Sequence, residues 1–117
     1  MQNQSDLSLL RDKLRAFAEV REWDQFHSPK NLSMALMVEA AELMEHFQWL
    51  TEVQSAELTQ DNRQAVGEEL ADILMYLVRL SDKLGIDLRE AALLKLEKNA
   101  LKYPAERVRG SARKYRG

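Results

Sequence analysis

Apolar residues recur along this chain at helical spacing, not in alternation. Leu10, Leu14, Phe17 and Ala18 stand at i, i+4, i+7 and i+8, which predicts an amphipathic helix over about residues 6–22. Trp23-Asp-Gln-Phe-His27 breaks the pattern, and Ser28-Pro29 follows as an N-cap residue with proline at the first helical position. A second helix is then expected to reach about Trp49, with a polar connection over residues 51–60. Asp61 with Gln64 three residues later has the form of a capping box and opens a long third helix, which stops at Gly85 as a C′ glycine. Asp87 and Glu90 repeat the box and start a fourth helix, ending before Pro104 because the residue preceding proline disfavours the α conformation. No run alternates apolar and polar residues as a half-buried strand would. The expected fold is all-α, a four-helix bundle with helices 2–4 as its central packing unit. Gly67, early in the third helix, costs about 1 kcal/mol relative to alanine. It either admits a close neighbour or has no structural purpose.

Two of these helices carry paired acids, Glu39-x-x-Glu42 and Glu69-x-x-Asp72. Residues three apart on a helix are neighbours, with Cβ atoms roughly 5–6 Å apart, so each pair points from one stripe. Leu36, Leu43 and Phe47 flank the first pair, and Leu70, Ile73 and Leu77 the second. Either these are solvated faces, or four acids enter a helix–helix seam. In the seam they need a cation or a proton. An all-oxygen set suits Mg²⁺, or Mn²⁺. A di-iron bundle would want Glu-x-x-His motifs, but the only histidines are His27 and His46, and Leu43 stands three residues before His46.

A chain of 117 residues makes one domain with one core. Its hydrophobic fraction of 45% and charged fraction of 31% are those of an ordinary helical protein. With no Cys, disulfides and thiolate metal sites are excluded. No apolar run approaches the roughly 18 residues of a membrane span and no signal-peptide pattern opens the chain, so a cytoplasmic location is expected. The net charge of −2 conceals an asymmetry: residues 104–117 hold five basic residues (Arg107, Arg109, Arg113, Lys114, Arg116) against Glu106, which leaves −6 on the rest. The chain therefore divides into a domain of residues 1–103 and a basic C-terminal tail of residues 104–117. The tail is either a solvated terminus or a segment that closes over an anionic ligand. An acidic body argues against nucleic-acid binding by the domain.

Mg²⁺ held by carboxylates commonly holds phosphates in turn. Were the ligand a nucleotide, Trp23, Phe26, His27 and Trp49 could stack on a base or bond its edge; as single aromatics they are equally ordinary core residues. Tyr76 lies one turn beyond Asp72 on the same stripe, with its hydroxyl in reach of a sugar or phosphate. Lys95, Lys98, Asn99 and Lys102, at i, i+3, i+4 and i+7, form either a solvated face or a phosphate-neutralising one. Tyr76, Leu77, Leu80 and Leu84 continue the apolar stripe past the acids, more surface than so small a chain covers alone, and predict burial against a symmetry mate.

The strings His27-Ser-Pro-Lys-Asn-Leu, Glu39-x-x-Glu42 ending in Phe47-Gln48-Trp49, and Glu68-Glu69-Leu70-Ala71-Asp72-Ile73-Leu74-x-Tyr76 resemble the MazG-like all-α nucleoside triphosphate pyrophosphohydrolases. Arg21-Glu-Trp23-Asp-Gln-Phe-His27, Lys95-x-x-x-Asn99, Lys102-Tyr103-Pro104 and Arg109-Gly-Ser-Ala-x-Lys114-Tyr115 extend the likeness over about residues 10–115 and bring it nearest to the dCTP pyrophosphatase branch. The resemblance implies Mg²⁺-dependent cleavage of a nucleoside triphosphate, dCTP or a 5-modified dCTP foremost, to monophosphate and pyrophosphate as nucleotide-pool housekeeping. It implies metal binding by Glu39, Glu42, Glu69 and Asp72. It further implies a nucleotide pocket of Trp23, Asp24, Gln25, Phe26, His27, Trp49 and Tyr76, and phosphates near Lys95 and Asn99. Glu42 is expected to double as the group that activates water, with Glu45 and Glu68 as neighbours able to do so. Homo-oligomers, dimers or tetramers made of two dimers, with sites near subunit interfaces, are implied too. One departure concerns the base: the eukaryotic dCTP enzymes carry a nucleotide-contacting His where this chain has Leu14. The same chemistry on dUTP or another non-standard dNTP is therefore the alternative. A non-catalytic nucleotide-binding or structural bundle is the alternative of another class.

Overall fold

The computed structural model describes residues 4–112 of the chain. Arg113, Lys114, Tyr115 and Arg116 of the basic tail lie outside the described residues. Every regular element among the described residues is helical: α1 (Asp6–Val20), a 3₁₀ turn (Asp24–Phe26), α2 (Pro29–Glu45), α3 (Glu52–Ala56), α4 (Gln60–Lys83), α5 (Leu88–Lys102) and α6 (Ala105–Val108).

Side-chain caps fix the helix starts. The Ser5 hydroxyl accepts from the Ser8 amide, and Ser28, with Pro29 at the first helical position, accepts from the Asn31 amide at 3.1 Å. The Asp87 carboxylate accepts from the Glu90 amide at 3.0 Å and opens α5, which closes at Lys102 ahead of Pro104. Gly85 follows α4 with φ +67°, the left-handed conformation that glycine adopts without a Cβ penalty.

Four boundaries differ from the sequence reading. First, α1 stops at Val20, and Glu22 turns the chain with φ 55°. Second, α2 stops at Glu45; residues 46–49 form turns in which the Phe47 and Gln48 amides both donate to the Met44 carbonyl. Third, the expected polar connection holds α3, opened by a full capping box between Thr51 and Gln54. Fourth, α4 is capped by Thr59, not Asp61, which instead lies in the first turn where its charge suits the positive end of the helix.

The chain divides after Gly85 into two compact units, α1 to α4 in the first and α5 with α6 in the second. The expected central group of helices 2–4 thus contains a helix, α5, that belongs to the second unit. Within the first unit α4 is the organiser: α2 packs along it and α1 packs on it as well. Ala18 from α1, Leu32 from α2, and Val66 and Val78 from α4 are its buried apolar residues. Met34, Met37, Val38 and Met44 on α2 and Leu70, Leu74 and Leu77 on α4 stay exposed, so the thin core leaves a broad apolar surface. No helix among the described residues is long and apolar enough to cross a membrane.

A Cβ added at Gly67 would meet nothing within 4 Å, so this glycine admits no close neighbour among the described residues. Gly67→Ala should stabilise the fold by up to about 1 kcal/mol, whereas Gly85→Ala should destabilise it by about 1 kcal/mol because of its left-handed backbone. Urea unfolding midpoints of the two variants should move in opposite directions.

Candidate functional site

The acids converge across the seam between α2 and α4. Glu39 on α2 faces Glu69 and Asp72 on α4, and one carboxylate oxygen from each lies within 4.8 Å of the others. All three are half-buried, the result of placing i, i+3 acids on the stripe that α2 and α4 turn toward each other. Glu42, one turn beyond Glu39 and also half-buried, acts on the cluster through its charge but is outside the group of three.

Electrostatics mark this cluster as incomplete. Hydrogen bonding to Glu69, loss of water and the charges of Glu42 and Asp72 push the Glu39 carboxyl up to about 7. Glu39 Oε2 and Glu69 Oε2 are buried without a hydrogen-bond partner. Buried carboxylate oxygens normally have one. A divalent cation with oxygen ligands meets both needs, supplying positive charge and taking up the two free oxygens. The donor set fits Mg²⁺ or Mn²⁺ and lacks the nitrogen and sulfur ligands that softer metals favour. Tyr76 belongs to this neighbourhood: burial first, then the charges of Glu39 and Asp72, raise its phenol.

A second group gathers at the other end of the same stripe of α4. Its centre is Arg79, only 6% exposed. The Arg79 guanidinium donates to Asp24 Oδ1 at 2.8 Å and to His27 Nδ1 at 3.3 Å from Nε, with Nη2 at 3.2 Å. Lys83, one turn on, donates to the same Asp24 oxygen. The 3₁₀ turn is thereby tied to α4, with Gln25 closing it locally on the Glu22 carbonyl and Asn31 on the Phe26 carbonyl. Trp23 meets His27 edge-on at 6.3 Å and Phe17 at 5.6 Å, and the Arg21 guanidinium lies 3.6 Å over the Phe17 ring. Burial and the cations of Arg79 and Lys83 lower the His27 pKa.

The residues expected at the site thus fall into groups. Glu39, Glu69, Asp72 and Tyr76 share one neighbourhood, with Glu42 at its edge, while Trp23, Asp24 and His27 form another. Phe26 is exposed, and Trp49 is the most open large apolar side chain, at 87%. Lys95 and Asn99 lie on α5 in the second unit. Arg79 and Lys83 were missed by the sequence reading. Their signal was register: Glu69, Asp72, Tyr76, Arg79 and Lys83 follow at steps of three, four, three and four, one continuous face of α4.

Residues 34–117 match the model of the MazG-like family. The chain belongs to the MazG-like family. It is 45% identical over 101 residues to dCTP pyrophosphatase 1 of Homo sapiens and equally so to that of Bos taurus, matches that take in 85% of the chain. They cover 59% and 60% of those proteins, so this MazG-like chain spans about three fifths of their length. Its fold superimposes on the crystal structure of a pyrophosphatase from Archaeoglobus fulgidus with a TM-score of 0.82 and 39% identity, covering 89% of this chain and 97% of that one.

The raised Glu39 value has a consequence for stability. A carboxyl that binds its proton more tightly folded than unfolded contributes stability below its ordinary value of 4.5, and loses it as pH rises through about 7. With EDTA present, wild type should lose melting temperature relative to Glu39→Gln between pH 5 and 8. Comparing the two variants cancels the opposite contribution of His27, whose lowered value makes acid destabilising. Added Mg²⁺ should remove most of the deficit in wild type and little of it in the variant.

Proposed function

We propose that this MazG-like protein hydrolyses a (deoxy)nucleoside triphosphate to the monophosphate and pyrophosphate, with dCTP or a 5-modified dCTP as the preferred substrate. The three-carboxylate cluster with two unpartnered buried oxygens carries the reading. The names of the relatives, dCTP pyrophosphatase 1 and a pyrophosphatase, support it.

On this reading Glu39, Glu69 and Asp72 hold Mg²⁺, or Mn²⁺ in its place. A divalent ion held there would neutralise phosphoryl charge and make water more acidic. Glu42, adjacent to the three but not among them, accepts the proton of the water that attacks the α-phosphorus, and pyrophosphate leaves. The Tyr76 hydroxyl bonds the sugar or a phosphate. Trp23 and His27, backed by Arg79, receive the base, with Phe26 and Trp49 completing the pocket. Lys95 and Asn99 of α5 offer a cation and an amide of the kind that suits phosphate charge. The exposed apolar faces of α2 and α4 support a homo-oligomer, a dimer or a tetramer of two dimers, in which open side chains such as Trp49 become buried. A cytoplasmic, nucleotide-pool housekeeping role completes the proposal.

The half-buried Leu14 of α1 favours a second substrate reading, because an apolar side chain brings no hydrogen bond to choose between cytosine and uracil. The deciding measurement is pyrophosphate release with Mg²⁺ across dCTP, 5-modified dCTP, dUTP and the other dNTPs. Wild type should turn over dCTP or a 5-modified dCTP with the highest kcat/KM, and Glu69→Ala should lose about 100-fold or more, since Lewis-acid help is worth several kcal/mol. Equal rates in the two proteins would remove the metal-site assignment, and absence of turnover and of nucleotide binding would leave a structural bundle.

A further inference from the structure

We infer that Arg79 is a positioning residue that holds His27 as the neutral imidazole with its proton on Nε2, so that the ring nitrogen left for a ligand is a hydrogen-bond donor. The inference rests on the proposed function only in assigning a base to the Trp23–His27 segment; the tautomer itself stands on geometry.

A guanidinium has five N–H donors, accepts nothing and does not lose its proton in proteins. Arg79 Nε and Nη2 both lie within hydrogen-bond distance of His27 Nδ1, at 3.3 Å and 3.2 Å. Nδ1 must therefore present its lone pair, and the proton of the neutral ring goes to Nε2. An imidazolium would set a third positive charge against Arg79 and Lys83, two cations of α4. Asp24, the acid whose charge reaches His27, already accepts from both of them through Oδ1. Asp82 is engaged by Arg15 and Arg79, and Glu19 and Glu22 line the same cavity as Asp24 and Arg79.

The arrangement is secured from behind. Arg79 Nη1 lies 3.8 Å from Asp82, and Asp82 accepts from Arg15 Nε of α1 at 2.7 Å. Arg15, Asp82, Arg79, Asp24 and His27 thus form one continuous chain of charge from α1 through α4 to the 3₁₀ turn. The Arg79 side chain is almost wholly buried, so its guanidinium has no freedom to swing to water and release Nδ1. Rigid support of this kind is what a recognition residue needs for its donor to keep one direction. A fixed Nε2–H accepts nothing, so it selects a base edge presenting a carbonyl oxygen or an unprotonated ring nitrogen, as a pyrimidine does at O2. It also disfavours an exocyclic amino group at that place.

Long-range ¹H–¹⁵N correlation of the two histidines tests this directly, with His46→Asn assigning the signals. Wild-type His27 should show an unprotonated Nδ1 and a protonated Nε2 at about pH 7.5–8, where the ring is neutral; a neutral ring with its proton on Nδ1 overturns the proposal by itself, whatever any variant does. Arg79→Met, which keeps bulk and removes the donors, should mix the two tautomers and return the His27 titration toward the ordinary value of about 6.5. The same variant should raise KM for dCTP about tenfold, the scale of one lost hydrogen bond, while kcat changes less than about threefold. An unchanged His27 spectrum in Arg79→Met, or an unchanged KM despite a changed spectrum, overturns the positioning role. If Arg79→Met does not fold, Asp24→Asn replaces it. That variant frees Arg79 and Lys83 of their shared acid but leaves the Nδ1 contact, and should keep the wild-type tautomer; a tautomer switch there overturns the proposal. The expected tautomer in a wild type that neither binds nor cleaves any nucleotide would overturn the proposed function instead.

Discussion

Repulsion between carboxylates across the α2–α4 seam is the constraint around which the first unit is built. Two helices that pack along each other normally gain by burying apolar side chains at their closest approach. Here Glu39, Glu69 and Asp72 occupy part of that seam, while among the described residues Leu32, Val66 and Val78 are the buried apolar side chains of these two helices. Such a seam holds when one carboxyl keeps its proton or a cation lies among them. The neighbouring Glu69, burial and the charges of Glu42 and Asp72 all favour the protonated form of Glu39. On the proposed function, a cation that binds the acids would also stabilise the packing of α2 on α4.

Helix α4 resolves a second problem with the same face. Its stripe changes sign along its length, with acids at Glu69 and Asp72, the phenol of Tyr76 between, and cations at Arg79 and Lys83. From Asp72 to Arg79 the rise is about 10 Å at 1.5 Å per residue. The cationic end would be as costly as the acidic one were it left without partners, since Arg79 is buried. It is offset by Asp24, Asp82 and the His27 imidazole, all drawn in from other turns or other helices. One rigid helix thus sets the distance between a cation-seeking end and an aromatic end, and no loop has to be trusted with it.

Local chemistry was readable from the chain wherever the partner was near in sequence. Ser28-Pro29, Gly85 and Asp87 act as their types predict, because a cap is satisfied within three residues. The errors have the same local origin: Thr59 outcompetes Asp61 because its hydroxyl reaches the Asn62 amide, and Thr51 with Gln54 nucleates a turn in a segment that looked merely polar. The acid pairs were legible because period and flanking leucines agree. Register puts Arg79 on the face of the acids, but composition and period could not show its burial or its partners. An arginine among Leu77, Val78 and Leu80 looks like a solvated position until Asp24 and His27, more than fifty residues earlier, are brought to it.

On the proposed function, that distinction bears on how base preference is divided from chemistry. The acids sit on two regular helices and depend only on helical register, so a substitution elsewhere leaves their spacing intact. The aromatic end depends on a three-residue turn whose place is set by Arg79 and Lys83, side chains that never meet the acids' oxygens. On the proposed function, a change at Arg79 or Asp24 would therefore shift which base is held without disturbing the group that cleaves. Leu14 lies on α1, whose Arg15 reaches the same network through Asp82. Selectivity is then a property of the whole α1–turn–α4 charge chain, more than of any one residue that faces the base.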